Sequence, residues 1–271
     1  MQGQCGISND FQHIVGGLDT KPGKHTYPVL LGRVDGDKIA YKCGGTLINR
    51  WYVLSAGHCH SKRKARWLTK ANIGDWSLAT DVDCIKNTED CLPAPQVIDV
   101  EKIVVHEDYE YTPKKVINDI ALYKLSRSVT PNEYLYFPCL PTPDTLNYLK
   151  INNFMDDIVD VHLAAVGWSF QTLADLQAQQ ATETLSTASS LFQQKVDRPV
   201  LGEASCQATW PQVSYANGQI CAGGEPGKDD CGIGGGPLLL NKFDKEAKLL
   251  TPFLDGRWIL IGITRERKLY K

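Results

Sequence analysis

Short apolar runs alternate with turn residues along the whole chain. The runs are rich in β-branched and aromatic residues, and Gly and Pro separate them, which is typical of strands in a sandwich or barrel. Sustained helical periodicity is scarce, so the pattern predicts an all-β fold. The predicted strands are Tyr27–Leu31, Gly45–Ile48, Trp51–Ser55, Val100–Val105, Ile120–Leu125, Val161–Val166, Pro237–Leu240 and Trp258–Ile263.

Two stretches depart from this strand pattern. Leu173–Gln194 is polar and rich in Ala, Gln, Ser and Thr. It fits either a helix or an extended loop, and its sparse apolar anchors favour the loop. Pro138–Leu149 contains three prolines and is the candidate connection between two halves of the chain. No repeat of about 20–50 residues is present.

Composition excludes several classes of protein. Apolar residues make up 42% and charged residues 22% of the 271 positions, which excludes disorder, collagen and coiled coils. The 29 basic and 31 acidic residues give a net charge of −2, so no basic field attracts nucleic acid. No apolar run approaches the roughly 18 residues of a membrane span. We therefore expect neither nucleic acid nor a membrane as a partner.

The nine cysteines indicate the redox compartment. They are irregularly spaced and contain no CxxC pair, so disulfides in an oxidising compartment are favoured over a zinc ribbon. Composition alone leaves open the alternative of buried free thiols in a cytosolic protein. The odd number leaves one thiol without an intramolecular partner. Residues 1–6 lack the apolar stretch of a signal peptide, which predicts either a cytosolic chain or a missing true start.

Two segments contain candidate catalytic residues, His58 in Ser55–Cys59 and Asp119 in Asn118–Leu122. A histidine beside a cysteine is usually structural, and an aspartate before a strand is usually a turn residue. Together, the two segments resemble the histidine and aspartate segments of trypsin-family serine endopeptidases, in that family's chain order. In that family, a buried aspartate fixes the histidine tautomer and stabilises the imidazolium that forms in catalysis.

Further segments resemble the same family, from Cys5 to about Ile263. His13 and Ile14 begin a His-Ile-Val-Gly-Gly segment that resembles the activation site, although most relatives have Arg or Lys before the cleaved bond. The loop Trp76–Pro95 and the segment Gly218–Gly224 resemble the clip-domain branch of arthropod serine proteases. That branch includes Easter and the prophenoloxidase-activating enzymes.

The resemblance implies a fold, a domain division and a set of disulfides. The fold is a double antiparallel β-barrel of the trypsin type, with the second barrel truncated at the C-terminus and with His58 and Asp119 facing each other across the cleft. Residues 1–13 are a remnant of the tether and activation peptide, and residues 14–271 are the protease domain. The implied pairs are Cys5–Cys139, Cys43–Cys59, Cys84–Cys91 and Cys206–Cys221. Cys231 is left over, because its usual partner lies downstream of where this chain ends.

The nucleophile segment departs from the family pattern. Cys231–Pro237 is one residue shorter than the family segment, which places Gly234 at the position of the catalytic serine. Glycine has no hydroxyl group and cannot be acylated. Ile233 replaces the aspartate that pairs with the new amino terminus of Ile14 after activation. We therefore expect the chain to lack protease activity.

Three other features bear on substrate and ligand. Asp229 matches the aspartate at the base of the specificity pocket, which selects Arg or Lys, and an acidic surface loop is the alternative. Thr264–Lys271 is a charged tail where the family continues into a pocket wall, a last strand and a terminal helix. Calcium is a candidate ligand of the loop from 75 to 91, although an acidic solvated loop is favoured. The acidic residues of that loop are Asp75, Asp81, Asp83, Glu89 and Asp90. Apart from calcium, we expect no metal or other cofactor.

These observations leave three interpretations. The first is a secreted serine protease homologue that binds protein substrates or proteases of an extracellular cascade, such as one of innate immunity, without cutting them. The second is an active endopeptidase whose deletion and truncated tail arise from a defective gene model or transcript. The third is a fragment that does not fold stably. In each case, the clip module and secretion signal of the family would lie upstream of Met1.

Overall fold

The fold is built from short strands and very few helices. The computed structural model describes residues 5–6, 18–60, 68–85, 88–112, 115–148, 151–168, 192–209, 218–223, 234–241 and 257–265. The strands are β1 (Leu18–Asp19), β2 (Pro28–Asp35), β3 (Lys38–Asn49), β4 (Tyr52–Ser55), β5 (Lys70–Ile73), β6 (Gln96–Val105), β7 (Glu110–Tyr111), β8 (Val116–Ile117), β9 (Ala121–Leu125), β10 (His162–Gly167), β11 (Gln194–Pro199), β12 (Pro237–Asn241) and β13 (Trp258–Ile263). The helices are α1 (Pro143–Tyr148), α2 (Phe154–Asp157) and α3 (Glu203–Thr209), and a 3-10 turn spans Gly57–Cys59.

Six strands close into an antiparallel barrel in the order β2-β3-β4-β9-β6-β5. Val29 of β2 pairs with Gly45 on one side and with Ile73 on the other, so each strand has two neighbours. Alternate side chains of the strands point inwards, as the period-two pattern requires. Leu31 and Tyr123 are fully buried in the barrel interior. Closure leaves no unpaired edge, which removes a site of aggregation.

The remaining long strands form a second, five-stranded antiparallel sheet in the order β1-β11-β10-β12-β13. Leu163 and Leu240 are buried in its own core. The opposite face contributes Val166, Leu239 and Trp258 to the core of the barrel. The two sheets therefore share buried apolar surface, and residues at their boundary are held from both sides.

The observed strands confirm the all-β prediction. Each predicted strand overlaps an observed one, whereas the pattern missed β5, β11 and the two-residue strands β1, β7 and β8. Pro138–Leu149 does lie between the two sheets along the chain, and it contains α1. Most of Leu173–Gln194 lies outside the described residues. The described part is Phe192, Gln193 and Gln194, and Gln194 begins β11.

Four disulfides link cysteines of the described residues, and one of them joins segments 134 residues apart. They are Cys5–Cys139, Cys43–Cys59, Cys84–Cys91 and Cys206–Cys221, the same pairs that the family resemblance implies. No helix in the described residues is long and apolar enough to cross a membrane.

Candidate active site

Strand pairing in the barrel brings His58 and Asp119 together. His58 lies in the 3-10 turn directly after β4, and Asp119 lies just before β9. Ser55 at the end of β4 pairs with Ala121 at the start of β9. Both side chains therefore belong to one end of the first barrel. The expectation that they face each other across a cleft is wrong, because they are direct neighbours on the same barrel.

The Asp119 carboxylate accepts two hydrogen bonds from His58. The His58 Nδ1 lies 2.8 Å from Oδ2, and the His58 backbone N–H donates to Oδ1 at 2.7 Å. Burial by itself raises the pKa of Asp119, but the hydrogen bonds and charge of His58, together with the charge of Arg265, leave it below its usual value. An ionised Asp119 accepts from Nδ1–H, which leaves Nε2 of His58 as the proton-accepting nitrogen.

A glycine and a tyrosine pack closely against this pair. A Cβ at Gly57 would lie 3.1 Å from Cδ2 of Tyr109 and 3.3 Å from Oδ1 of Asp119. Glycine at position 57 thus allows the Tyr109 ring to approach the Asp119 carboxylate. Trypsin-family proteases usually have alanine at this position. Burial, followed by the charge of Asp119, raises the pKa of Tyr109 to about 12, so its hydroxyl stays protonated.

The glycine turn Gly234–Gly236 is bonded to both sheets. The Gly44 N–H donates to the Gly234 carbonyl at 2.8 Å, and that carbonyl lies 3.8 Å from Sγ of Cys59. On its other side, Gly235 N–H donates to Thr264 O at 2.7 Å, and Thr264 N–H donates to Gly236 O at 2.9 Å. Gly234 is therefore buried beside the residue that follows His58 in the chain.

Gly235 has to be glycine for this seating. Its φ is +96°, and an added Cβ would lie 2.5 Å from both Gly44 O and Ser55 Oγ. Ser55 itself donates a hydrogen bond to Gly44 O at 2.7 Å. Ser55 was not identified from the sequence as a site residue, because its role depends on two backbone segments that meet only in the fold.

Several sequence-predicted site residues lie outside the described part of the chain. They are His13 and Ile14 of the activation site, Asp229 of the specificity pocket, the leftover Cys231, and Ile233. The structure therefore brings together His58, Asp119 and Gly234 only.

The loop from 75 to 91 does not offer its central carboxylate to a cation. Asp83 is buried and accepts hydrogen bonds from the backbone N–H groups of Trp76 and Ser77 and from the Thr80 hydroxyl. These donors point hydrogens at the oxygens that would face calcium, so Asp83 does not fit as a ligand. Asp75 is also buried, and burial raises its pKa to about 7. Asp81, Glu89 and Asp90 are exposed, as expected for a solvated loop.

His58 lies close to Cys43 and Cys59, with ligand atoms within 4.8 Å of one another. The two sulfurs are bonded to each other, so neither is a thiolate ligand for a metal ion.

Sequence reasoning missed Arg265, which it assigned to a charged tail. The guanidinium carbon of Arg265 lies 6.0 Å from the centroid of the Tyr111 ring. Its charge contributes to the lowered pKa of Asp119 and partly opposes the rise in the pKa of Tyr109, so the guanidinium acts electrostatically on the His58–Asp119 pair. The sequence did contain one indication of its role. Arg265 comes two residues after the apolar strand β13, and a residue at the end of a strand is a candidate site residue.

Comparison with known proteins identifies the family. The sequence profile described as Trypsin matches residues 14–264. The chain is 35% identical over 241 residues to the CLIP domain-containing serine protease HP8 of Bombyx mori, covering 87% of this chain and 59% of that protein. It is 35% identical over 243 residues to phenoloxidase-activating factor 3 of Holotrichia diomphalia, covering 87% of this chain and 62% of that protein. The chain thus spans about three fifths of these relatives.

Two further comparisons agree with these. The Spaetzle-processing enzyme of Drosophila melanogaster is 33% identical over 84% of this chain and 54% of its own length. The crystal structure of the Drosophila Grass clip serine protease of the Toll pathway superposes with a TM-score of 0.73 at 22% identity, covering 97% of this chain and 67% of that one. That likeness shows the fold, which is of the trypsin type. By its sequence, the chain belongs to the trypsin family of serine proteases and is similar to its CLIP-domain members.

Proposed function

We propose that this chain is a serine protease homologue that acts by binding rather than by cutting. The observation that carries the proposal is the glycine turn beside His58. A serine-type protease requires a hydroxyl next to its histidine, and Gly234 is the residue held between Gly44 and Cys59. The pair formed by His58 and Asp119 then lacks a nucleophile to activate.

The roles of the other site residues follow from this assignment. His58 and Asp119 are the retained members of the catalytic triad, and Asp229 is the base of a pocket for Arg or Lys. Cleavage between His13 and Ile14 is the activation event. Ile233 cannot form an ion pair with the new amino terminus, so the switch that organises the family's active site is also lost.

The proposed setting is an extracellular proteolytic cascade. Four disulfides favour an oxidising compartment and a secreted protein. The names of the relatives describe phenoloxidase-activating and Spaetzle-processing proteins, so the proposed partners are cascade proteases or their protein substrates. Residues 1–13 form the remnant of the activation peptide, and the Cys5–Cys139 disulfide would keep that segment attached after cleavage. Residues 14–271 form the proposed protease-like domain.

Ester hydrolysis tests the loss of activity. Residues 10–13 are replaced by the factor Xa recognition sequence Ile-Glu-Gly-Arg, so that cleavage exposes Ile14. We expect the cleaved chain to hydrolyse an arginyl ester no faster than its His58→Ala variant. Loss of the triad's function removes about six orders of magnitude of rate in a comparable enzyme. A rate clearly above that of the variant contradicts the proposal.

Gly234→Ser should not restore hydrolysis. The segment between Cys231 and Pro237 stays one residue short, and Ile233 still cannot bind the Ile14 amino group. The oxyanion-hole donors, each worth about 2.7–4 kcal/mol in a comparable enzyme, stay disturbed. Replacing the whole segment with the family sequence Gly-Asp-Ser-Gly-Gly and adding a family-like C-terminus should both be needed. Activity of the single variant contradicts this expectation.

The intact pair of His58 and Asp119 favours a second candidate function, an active endopeptidase directed at Arg or Lys. This candidate requires that the gene encode one more residue in the segment that contains Gly234. Sequencing the genomic DNA across codons 230–237 and beyond codon 271 decides between the two. An uninterrupted Gly-Asp-Ser-Gly-Gly coding run would identify the active enzyme, whereas a genomic sequence that agrees with the chain supports the binding protein.

A further inference from the structure

A cationic and aromatic surface lies beside His58, and the proposed catalytic roles do not use it. We call it the Arg265 surface, and it is formed by Tyr111 and Arg265. Thr264 is held by backbone hydrogen bonds to Gly235 and Gly236, so the residue that follows it leaves the second sheet at a fixed point next to the glycine turn. Its guanidinium carbon lies 6.0 Å from the centroid of the Tyr111 ring, which belongs to the two-stranded sheet formed by β7 and β8.

The Arg265 guanidinium is available for a ligand. Arg265 is exposed, and within the described part of the chain it forms no ion pair or hydrogen bond. Tyr111 is 60% exposed, a large fraction for an aromatic ring. The guanidinium carbon lies 6.0 Å from the centroid of the Tyr111 ring, at the outer limit of a cation–π contact, and this contact uses none of the five N–H donors. These donors therefore remain for a ligand.

Two nearby carboxylates do not occupy these donors. Both oxygens of Asp119 accept hydrogen bonds from His58. Glu110 precedes Tyr111 in β7, and successive side chains of a strand point to opposite faces. Its side chain therefore points away from the face on which Tyr111 meets Arg265.

We propose that the Arg265 surface binds the carboxylate of an Asp or Glu side chain in an extended segment of a partner protein. The guanidinium makes the bidentate contact that carboxylates favour, and the Tyr111 ring packs against the apolar part of the segment. The charge of Arg265 acts on Asp119, the hydrogen-bond partner of His58, so a ligand at this surface also affects the His58 ring. The proposal rests on the proposed function, because a segment held beside His58 must remain uncut.

This preference is opposite in charge to the one that Asp229 implies. Asp229 is proposed to select a basic side chain, whereas the Arg265 surface selects an acidic one. A partner that satisfies both would present both an acidic and a basic residue. Charge complementarity of this kind raises specificity more than raw affinity.

Peptide binding tests the proposal. The probes are N-acetylated, C-amidated alanine pentapeptides that differ only in the central residue, which is Glu, Gln or Lys. Amidation leaves the side chain as the sole source of a carboxylate. Binding to the full chain is followed by NMR of the His58 ring and the Arg265 Nε–H group, because contacts of this size give weak affinities. We expect the Glu peptide to bind about tenfold more tightly than the Gln peptide.

Two variants test whether the preference for the Glu peptide arises at the Arg265 surface. Arg265→Gln should abolish the advantage of Glu over Gln, read from the His58 signals. Arg127→Gln is the matched control, since Arg127 is also exposed and lies beyond the far end of β9 from Asp119. It should keep the full preference. Equal binding of the Glu and Gln peptides, a preference that survives Arg265→Gln, or its loss in Arg127→Gln overturns the proposal.

The Lys peptide separates this proposal from the proposed function. Its cleavage after the central residue, detected by mass spectrometry, would show an active protease and contradict the binding role. The ratio of Glu to Gln binding does not depend on cleavage, because neither peptide contains a basic residue. The two conclusions therefore fail on different measurements.

Discussion

Both halves of the molecule hold the backbone of a catalytic segment in place by hydrogen bonds. They differ in the side chains that these segments provide. The closed barrel holds His58 and Asp119 in a fully bonded pair. The second sheet contributes Gly234, whose turn is also fixed by backbone hydrogen bonds on both sides. Anchoring the backbone of a catalytic segment is thus separable from supplying its chemistry. A fold can retain one without the other.

The halves are nevertheless joined through one core. Val166, Leu239 and Trp258 of the second sheet pack among the buried residues of the barrel. Because each sheet covers apolar surface of the other, we expect them to unfold together.

Removing a core side chain from either half should have the largest effect on stability. Leu31→Ala in the barrel and Leu239→Ala in the second sheet both empty a fully buried site. Each should lower the free energy of unfolding by about 2–5 kcal/mol. Urea denaturation with disulfides intact should show one shifted transition for both. Two separate transitions, of which each variant shifts only one, would show that the halves are independent.

Gly235→Ala should destabilise the protein by about 3 kcal/mol. The new methyl group would overlap Gly44 O and Ser55 Oγ, and φ of +96° is strained for alanine. Gly167→Ala is the matched control, because no atom lies within 4 Å of its added Cβ. The control should change stability by about 0.5 kcal/mol or less. Equal effects in thermal denaturation would show that the glycine turn is not seated against the barrel.

Asp119→Asn should have a smaller effect that depends on pH. The pKa of Asp119 lies below its usual value, so ionised Asp119 stabilises the folded chain above pH of about 4. That contribution is lost as pH falls through the lowered pKa. Relative to wild type, the variant should therefore lose about 1–2 kcal/mol at pH 7, and the difference should shrink between about pH 4 and pH 2.

The control for this titration is Asp99→Asn. Asp99 forms an exposed ion pair with Lys70 at 2.6 Å, and such pairs contribute about 0–1 kcal/mol. Denaturation curves at several pH values compare the two variants with wild type. A constant difference between Asp119→Asn and wild type from pH 7 to pH 2 would contradict the role of its charge.

The strands that could be predicted are those whose own residues form a clear apolar pattern. β13 is an unbroken apolar run, and its bounds were predicted to the residue, as Trp258–Ile263. β5 was missed because it begins with the charged Lys70. β11 was missed because the residues Gln194–Arg198 are largely polar. These strands are stabilised by pairing on both sides, and long polar side chains can cover apolar surface with their stems. Pairing of this kind depends on distant segments and leaves no local pattern.

The candidate site was predictable where it consists of contiguous motifs and not where it depends on contacts between loops. His58 and Asp119 were found from their flanking residues. Asp83 was counted among the acidic residues of a loop expected to be solvated, with calcium as the alternative, because nothing in the sequence shows that backbone N–H groups would surround it. Arg265 looked like part of a tail, because its contact with Tyr111 joins the end of β13 to the separate β7–β8 sheet.

The most direct test of the central claim is covalent labelling by a fluorophosphonate, which reacts with the activated serine of a serine hydrolase. The factor Xa-cleaved chain is incubated with the reagent, and its intact mass is measured. The predicted result is no mass increase in this chain, because Gly234 has no hydroxyl. None is expected in its Gly234→Ser variant either, because the segment between Cys231 and Pro237 stays one residue short. A stoichiometric adduct on the unmodified chain, lost in the His58→Ala variant, would contradict the account.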